Sequence, residues 1–164
     1  MVPDTAIAGC FNAAFGVSHA CVMLGGAEEP MYLPAAAPHR SILRYRQNYA
    51  RSALHEAAHW CIAGAERRRR LDFGYWYTAP PRQPACQRRF QAVEARVQAL
   101  ERLFSQAAGV PFQPSLDDVT SVTSTVLAGF AAEIDQAAAR LRRAGLSPRA
   151  QRFAEALEQL DWIA

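Results

Sequence analysis

The stretch NYARSALHEAAHWCIAG, residues 48 to 64, contains the pattern His55-Glu56-Ala57-Ala58-His59. In a helix, two histidines four positions apart project from the same face one turn apart, so two ring nitrogens can bind one divalent metal ion. A glutamate beside the first histidine can act as a base or orient a ligand. The alternative is a surface helix with two solvated histidines, which needs no metal. The spacing favours a metal-binding helix.

The flanks of this motif predict where its helix begins and ends. The side chain of Asn48 can cap the first turn, and Gly64 can adopt the left-handed conformation that ends many helices. The apolar stripe beside the histidines consists of Leu54, Ala58, Cys61 and Ile62. We therefore expect a helix that is buried on one side and opens on a pocket on the other.

Hydrophobic periodicity and turn residues predict an α+β fold around this central helix. Further helices are predicted over residues 5–15, 87–108 with a possible break near Val97, 119–143, and 147–160. Strands are predicted over residues 18–24, 31–33, 41–45 and 71–78. Gly109, Gly145 and the Ser147-Pro148 pair supply helix stop and start signals. We expect a single domain over residues 1–164, with several helices packed around a small, mostly antiparallel sheet.

Composition excludes several classes of protein. The chain has 164 residues, 51% of them hydrophobic and 20% charged, which is an ordinary globular mixture. All 18 basic residues are arginine, so Schiff-base and P-loop lysine chemistry are excluded. The four cysteines show no CxxC spacing, which favours free thiols. Without a basic leader or a long apolar run, we expect a soluble, cytoplasmic protein that does not contact a membrane. We also expect no direct contact with nucleic acid.

Two imidazoles need a third ligand to hold a metal ion firmly. Glu94 is the strongest candidate because it lies in a predicted helix beside apolar Val93, and Asp72 and Glu101 compete with it. Two histidines and a carboxylate suit catalytic zinc and equally suit the iron triad of non-haem oxygenases. Spacing alone leaves both the third ligand and the metal open.

Residues 67–77 combine four arginines with an aromatic run. The arginines can attract an acidic partner or RNA, although such a run is more often a solvated loop. Tyr75, Trp76 and Tyr77 can line a pocket for a cationic side chain, with Asp72 supplying negative charge. Aromatic packing on a half-buried strand is the more ordinary explanation.

Four blocks of sequence carry a family resemblance. They are EPMYLPA (29–35), ALHEAAHWCIAG (53–64), LDFGYWY (71–77) and FQAVEARVQALERLFSQAAGVPF (90–112). Together and in this order they resemble the bacterial elongation factor P hydroxylase family. A weaker likeness in residues 5–25 and 148–157 extends the resemblance over nearly the whole chain. This combination is far more specific than the histidine pattern alone.

The resemblance implies a monooxygenase that hydroxylates the β-lysylated lysine of elongation factor P, the translation factor that relieves stalling at proline runs. It implies Fe(II) as the metal and dioxygen as co-substrate. It places the metal ligands at His55, His59 and Glu94. Glu56 matches the motif glutamate, with a catalytic role in proton handling or in orienting a ligand.

The implied substrate is a long cationic side chain on a folded protein partner. Acidic and aromatic groups at the pocket rim should guide it, and the candidates are Asp72, Tyr75 and Glu29. The rival enzyme class is a zinc metallopeptidase in which Glu56 is the general base on a zinc-bound water. A non-enzymatic alternative is an adaptor protein whose metal is structural.

Overall fold

The computed structural model describes residues 2–75, 79–117 and 122–160. Within these ranges the helices are α1 (Asp4–Phe15), α2 (Ala50–Ile62), α3 (Pro84–Ala108), α4 (Ser124–Ala144) and α5 (Pro148–Glu158). The strands are β1 (Cys21–Ala27), β2 (Met31–Leu33) and β3 (Ser41–Arg46). Two 3₁₀ segments, Arg67–Arg69 and Leu71–Gly74, follow α2. The α+β class predicted from the sequence is confirmed.

The sheet is mixed, with β3 between the other two strands. β3 runs parallel to β1, with Cys21 opposite Ser41, and antiparallel to β2, with Tyr32 opposite Leu43. The prediction of a mostly antiparallel sheet is therefore wrong, since the longer pair is parallel. The chain reverses direction after β1 and again after β2, so β3 runs in the same direction as β1 and fits between the two earlier strands.

Asn12 of α1 holds the outer edge of β1. Its Oδ1 accepts a hydrogen bond from the Met23 N–H (2.6 Å), and its Nδ2 donates to the Met23 carbonyl (3.1 Å). An edge strand has no neighbour to satisfy these outward-facing backbone groups. The side chain of Asn12 supplies the missing partners and ties the sheet to the first helix.

We expect the substitution Asn12→Ala to lower the free energy of unfolding by about 1–3 kcal/mol, because it leaves the N–H and the carbonyl of buried Met23 without partners. Equilibrium unfolding in urea measures this loss. Asn48→Ala, at an exposed position, is the matched control and should change the unfolding free energy by less than about 0.5 kcal/mol. Equal losses in the two variants would contradict the role assigned to Asn12.

An aromatic cluster buries one side of α2. Trp60 is 1% exposed, and its ring lies 4.7 Å from Phe15 and 5.1 Å from Phe11. Phe153 of α5 contacts Phe11 at 5.6 Å and Phe104 of α3 at 4.9 Å. These contacts join α1, α2, α3 and α5 in one core and prevent α2 from rotating about its axis. All four cysteines fall within the described residues and are free thiols, as predicted.

The predicted start of α2 is wrong by one residue. Asn48 lies in the turn after β3 and does not cap the helix, which begins at Ala50. Tyr49 occupies the cap position and makes no side-chain capping bond. The side chain of Ser52 instead accepts a hydrogen bond from the Arg46 N–H at 2.9 Å, so the strand and the helix are tied together directly.

The predicted stop at Gly64 is also wrong. The helix ends at Ile62 because Ala63 is extended (φ −61°, ψ 123°), and Gly64 does not adopt the left-handed conformation. The Ala63 carbonyl accepts hydrogen bonds from Arg68 (2.5 Å) and from Arg149 of α5 (2.7 Å). Two cationic side chains, one five residues further along the chain and one from α5, thus satisfy the end of the helix, as positive groups do favourably at a helix C-terminus.

The predicted strand over residues 71–78 is wrong for its first four residues, which form a 3₁₀ turn. Asp72 (φ 47°) and Phe73 (φ 58°) lie in the left-handed region, which a strand does not use. Tertiary contacts stabilise this conformation: Asp72 Oδ1 accepts the Tyr32 N–H at 2.8 Å, and the Phe73 ring stacks on Tyr32 at 4.2 Å. Residues 76–78 lie outside the described ranges.

α3 is longer than predicted and has no break. It begins at Pro84 and continues through the expected break, since Val97 is helical and 1% exposed within the core. Gly109 ends it in the left-handed conformation (φ 62°), as predicted. α3 therefore packs against α2 as one uninterrupted helix.

α4 and α5 both pack against α3. α4 begins at Ser124, five residues later than predicted, with Thr123 as its cap; part of the predicted first turn, residues 119–121, lies outside the described ranges. The predicted cap of α5 is confirmed, since Ser147 accepts from the Ala150 N–H. No described helix has the length and apolar character needed to span a membrane.

Candidate metal centre

Three side chains from two helices converge at one point. His55 and His59 project from the same face of α2, and Glu94 faces them from α3. The two Nε2 atoms lie 3.1 Å apart. Glu94 Oε2 lies 3.6 Å from His55 Nε2, and Oε1 lies 3.3 Å from His59 Nε2. In the part of the chain that the structure describes, these three residues form the one cluster suited to a metal ion.

The spacing of these atoms fits a divalent cation. Metal–nitrogen and metal–oxygen bonds of about 2.0–2.2 Å place neighbouring ligand atoms about 3.0–3.6 Å apart at angles between octahedral and tetrahedral. The observed separations of 3.1, 3.3 and 3.6 Å fall in this range. Two imidazoles and one carboxylate match the ligand sets of catalytic zinc and of non-haem iron.

The charges around the cluster favour a cation. Burial by itself would lower the pKa of His55, but its hydrogen bond to Glu101 and the nearby negative charges raise that pKa to about 9. Burial would raise the pKa of Glu94, but hydrogen bonding to His59 and the positive charges of both histidines lower it to about 2. Negative groups thus surround the imidazoles, and a divalent ion would replace a proton there.

Glu101 has a different position from the one considered in the sequence. The sequence left Glu101 as an alternative third ligand. In the structure its Oε2 lies 2.8 Å from His55 Nδ1, on the side of the ring away from the cluster. It is 3% exposed and lies two turns after Glu94 on α3. The seven-residue spacing between the two glutamates was the available signal, because it predicts a shared helix face.

Gln98, which sequence reasoning missed as a site residue, lies between these two glutamates and is 2% exposed. Its Nε2 donates to the Ser115 carbonyl at 2.7 Å and its Oε1 accepts from the Ser115 N–H at 3.0 Å. Hydrogen bonding from Gln98 also helps to lower the pKa of Glu94. The amide therefore connects the loop after α3 to the Glu94 carboxylate.

Glu56 lies in the wall of the same cavity and is 8% exposed. Burial raises the pKa of its carboxyl group, and the nearby charges of His59 and His55 oppose that increase. A carboxyl group held in this way beside the cluster can accept or deliver a proton.

The cluster opens on a cavity of about 880 Å³. The three candidate substrate-binding residues Glu29, Asp72 and Tyr75 all line it. One Asp72 oxygen is engaged by the Tyr32 N–H. Tyr75 is 39% exposed, and the guanidinium of Arg67 covers one face of its ring at 4.4 Å. The predicted stacking of a substrate cation on Tyr75 is therefore restricted to the surface that Arg67 leaves open.

Two further walls of the cavity were missed in the sequence. Tyr32 and Phe73 stack on each other, and the Phe73 ring lies nearly parallel to His59 with centroids 6.4 Å apart. On another side, Arg82 packs over Phe90 at 3.9 Å and forms an ion pair with Asp117. No local pattern predicts these contacts, because their partners lie far apart along the chain.

Comparison with known proteins shows the family of this chain. The chain matches the family model described as elongation factor P hydroxylase over residues 10–161. A relative named elongation factor P lysine hydroxylase, from Haemophilus influenzae, is 43% identical over 111 residues, which cover 66% of this chain and 62% of the relative. The matched part thus spans less than two thirds of that relative's length. The family model covers most of the sequence, including α2 and α3. This chain therefore belongs to the elongation factor P hydroxylase family.

Proposed function

We propose that this protein is a metal-dependent monooxygenase that hydroxylates the β-lysylated lysine of elongation factor P. The observation that carries the proposal is the convergence of His55, His59 and Glu94 in the lining of an open cavity, in a chain of this family. A relative's name specifies a lysine of elongation factor P as the substrate. Such a substrate implies a cytoplasmic location, as expected from the sequence.

His55, His59 and Glu94 would hold the metal, which we propose to be Fe(II). An iron ion with three protein ligands keeps open positions and supplies the redox chemistry by which dioxygen is activated. The overall reaction converts one aliphatic C–H bond of the substrate to C–OH, and the second oxygen atom leaves as water. This balance requires two electrons from an external reductant and two protons.

Glu56 would handle protons in this reaction. Its carboxyl group lies in the cavity wall beside the cluster and is largely shielded from solvent. Formation of water from dioxygen consumes protons, and a carboxylic acid at this position can deliver them from its own oxygen. The stacked rings of Tyr32 and Phe73 exclude water from one side of the cavity and keep the reacting region apolar.

The mouth of the cavity would recognise a cationic side chain. Glu29 and Asp72 are exposed carboxylates in its lining, and Tyr75 lies beside them. A β-lysylated lysine carries ammonium groups on a long aliphatic chain, so carboxylates near the mouth and apolar walls deeper inside match its charge distribution. These three residues are our candidates for substrate positioning.

We expect Asp72→Asn to raise KM for the cationic substrate by about five- to tenfold with a small effect on kcat. Asparagine is the suitable replacement because its oxygen can still accept the Tyr32 N–H and because it tolerates the left-handed backbone at this position. The substitution therefore removes charge without removing the contact that shapes the turn. Steady-state kinetics with β-lysylated elongation factor P measure the effect.

Glu28→Gln is the control for this variant, since Glu28 is exposed, lies outside the cavity lining and changes net charge by the same amount. Its KM should stay within about twofold of the wild type. The same increase in both variants would indicate a general electrostatic effect and would contradict a direct role for Asp72.

The proposed function is tested by reconstitution with a defined metal. Metal-free protein is loaded with Fe(II) or with zinc and given β-lysylated elongation factor P, a reductant and isotopically heavy dioxygen. Intact mass should show one heavy oxygen atom on the substrate with Fe(II) and none with zinc. Cleavage of peptides by the zinc-loaded protein, without hydroxylation by the iron-loaded protein, would establish the rival metallopeptidase instead.

The metal-free and metal-loaded proteins also test the alternative of an adaptor protein whose metal is structural. Removal of metal from a catalytic site should abolish activity while the fold remains, because the aromatic core that positions α2 does not include the cluster. Far-ultraviolet circular dichroism before and after chelation measures this. Unfolding of the metal-free protein would favour the adaptor interpretation.

A further inference from the structure

One imidazole of the cluster is held on both of its nitrogens. His55 Nε2 faces the cluster, 3.1 Å from His59 Nε2, while Nδ1 lies 2.8 Å from Glu101 Oε2. Glu101 is 3% exposed, so this carboxylate is withdrawn from solvent. A metal ion in the cluster would therefore meet a ring whose far side is already engaged by a buried carboxylate.

We propose that Glu101 is a positioning residue for the metal centre: its carboxylate accepts the hydrogen bond of the His55 Nδ1–H group and thereby directs the Nε2 lone pair at the metal. The inference rests on His55 being a metal ligand, as in the proposed function. Carboxylates that orient a metal-binding histidine in this way fix both its ring orientation and its tautomer.

The burial of Glu101 explains why this arrangement is stable. Among the described residues, His55 is the hydrogen-bond partner that the structure provides for the Glu101 carboxylate. Rotation of the imidazole by half a turn would remove the Nδ1–H and leave a buried carboxylate without a donor, which is strongly unfavourable. The contact therefore selects one orientation of the ring.

The two histidines differ in whether their Nδ1 atom has a hydrogen-bond partner. His59 contacts Glu94 and His55 through Nε2, and no hydrogen bond to its Nδ1 is formed within the described ranges. The fold thus orients His55 before a metal binds and leaves His59 to adjust. Changes at Glu101 should consequently affect the imidazole resonances of His55 far more than those of His59.

The first experiment uses the wild-type protein loaded with zinc, which is diamagnetic and permits nitrogen–proton correlation spectra of the imidazoles. We expect His55 to be bound through Nε2 and to show a hydrogen-bonded, slowly exchanging Nδ1–H proton. Coordination of zinc through Nδ1, or the absence of this proton, would overturn the inference without any need for a variant.

The second experiment measures zinc affinity by competition with a chelating dye at one fixed pH. Glu101→Met removes the acceptor and should weaken binding by about 10- to 100-fold. Glu101→Gln keeps an oxygen that can accept the Nδ1–H and should bind at least severalfold more tightly than Glu101→Met. Equal losses in these two variants, or unchanged affinity in folded Glu101→Met, would overturn the assignment.

Ser105→Ala is the matched control. Ser105 lies one turn after Glu101 on α3, is 1% exposed, and its Oγ has no partner among the described residues. Its removal perturbs the same buried helix face without touching His55, so the zinc affinity should remain within about twofold of the wild type. Failure of the wild-type protein to bind zinc at all would refute the metal centre itself, an outcome distinct from failure of the Glu101 assignment.

Discussion

Glu94→Ala is expected to abolish hydroxylation of elongation factor P and to weaken metal binding by more than about a hundredfold, since loss of a direct ligand should exceed the 10- to 100-fold effect typical of an outer partner. The substitution removes the single carboxylate of the cluster and leaves two imidazoles, which hold a metal ion weakly. Metal content after dialysis and the intact mass of elongation factor P co-expressed with each variant measure the two effects.

The control for Glu94→Ala is Glu133→Ala, at an exposed position on α4, which should behave as the wild type. One added oxygen atom on elongation factor P co-expressed with Glu94→Ala would refute Glu94 as the third ligand. Loss of hydroxylation with full metal retention would also refute it, because the carboxylate would then act on the substrate and not on the metal.

Glu56→Gln is expected to keep the metal and lower kcat by about 10²- to 10⁴-fold, the usual contribution of a positioned proton donor or acceptor. The amide has the shape of the carboxyl group and occupies the same cavity wall, but it cannot act as an acid or a base at neutral pH. In this variant the metal content should therefore match that of the wild type, while product formation in a single turnover should be much slower.

Glu66→Gln provides the control for Glu56→Gln, since Glu66 is exposed beyond the end of α2 and pairs with Arg69 at the surface. Its kcat should be unchanged. A metal affinity that falls together with activity in Glu56→Gln would assign Glu56 to orientation of a ligand and would contradict proton handling.

Local sequence signals predicted the helices well and the turns poorly. The αL stop at Gly109 and the cap at Ser147 are confirmed, because each depends on residues within one turn of itself. The predicted stop of α2 was wrong because Arg149 of α5, which helps to satisfy the end of that helix, comes from a position that no local pattern connects to it. The predicted start was wrong because Asn48 belongs to the turn after β3.

The strand predicted after α2 was also wrong because contacts with a distant residue decide the conformation there. Alternation in residues 71–78 has the period of a strand, yet Asp72 and Phe73 adopt left-handed conformations. The backbone N–H and the ring of Tyr32, forty residues earlier in the chain, provide contacts that outweigh the local preference. The same contacts place Asp72 at the cavity.

By itself, the sequence determined that His55 and His59 share one face, because their four-residue spacing fixes this in any α-helix. The blocks around that pair indicated the family and, through it, Glu94. Only the tertiary structure decided how α3 lies against α2, and therefore which α3 carboxylate faces the Nε2 atoms and which one holds Nδ1. The reason is physical: helical periodicity is local, whereas the approach of two helices depends on a core assembled from the whole chain.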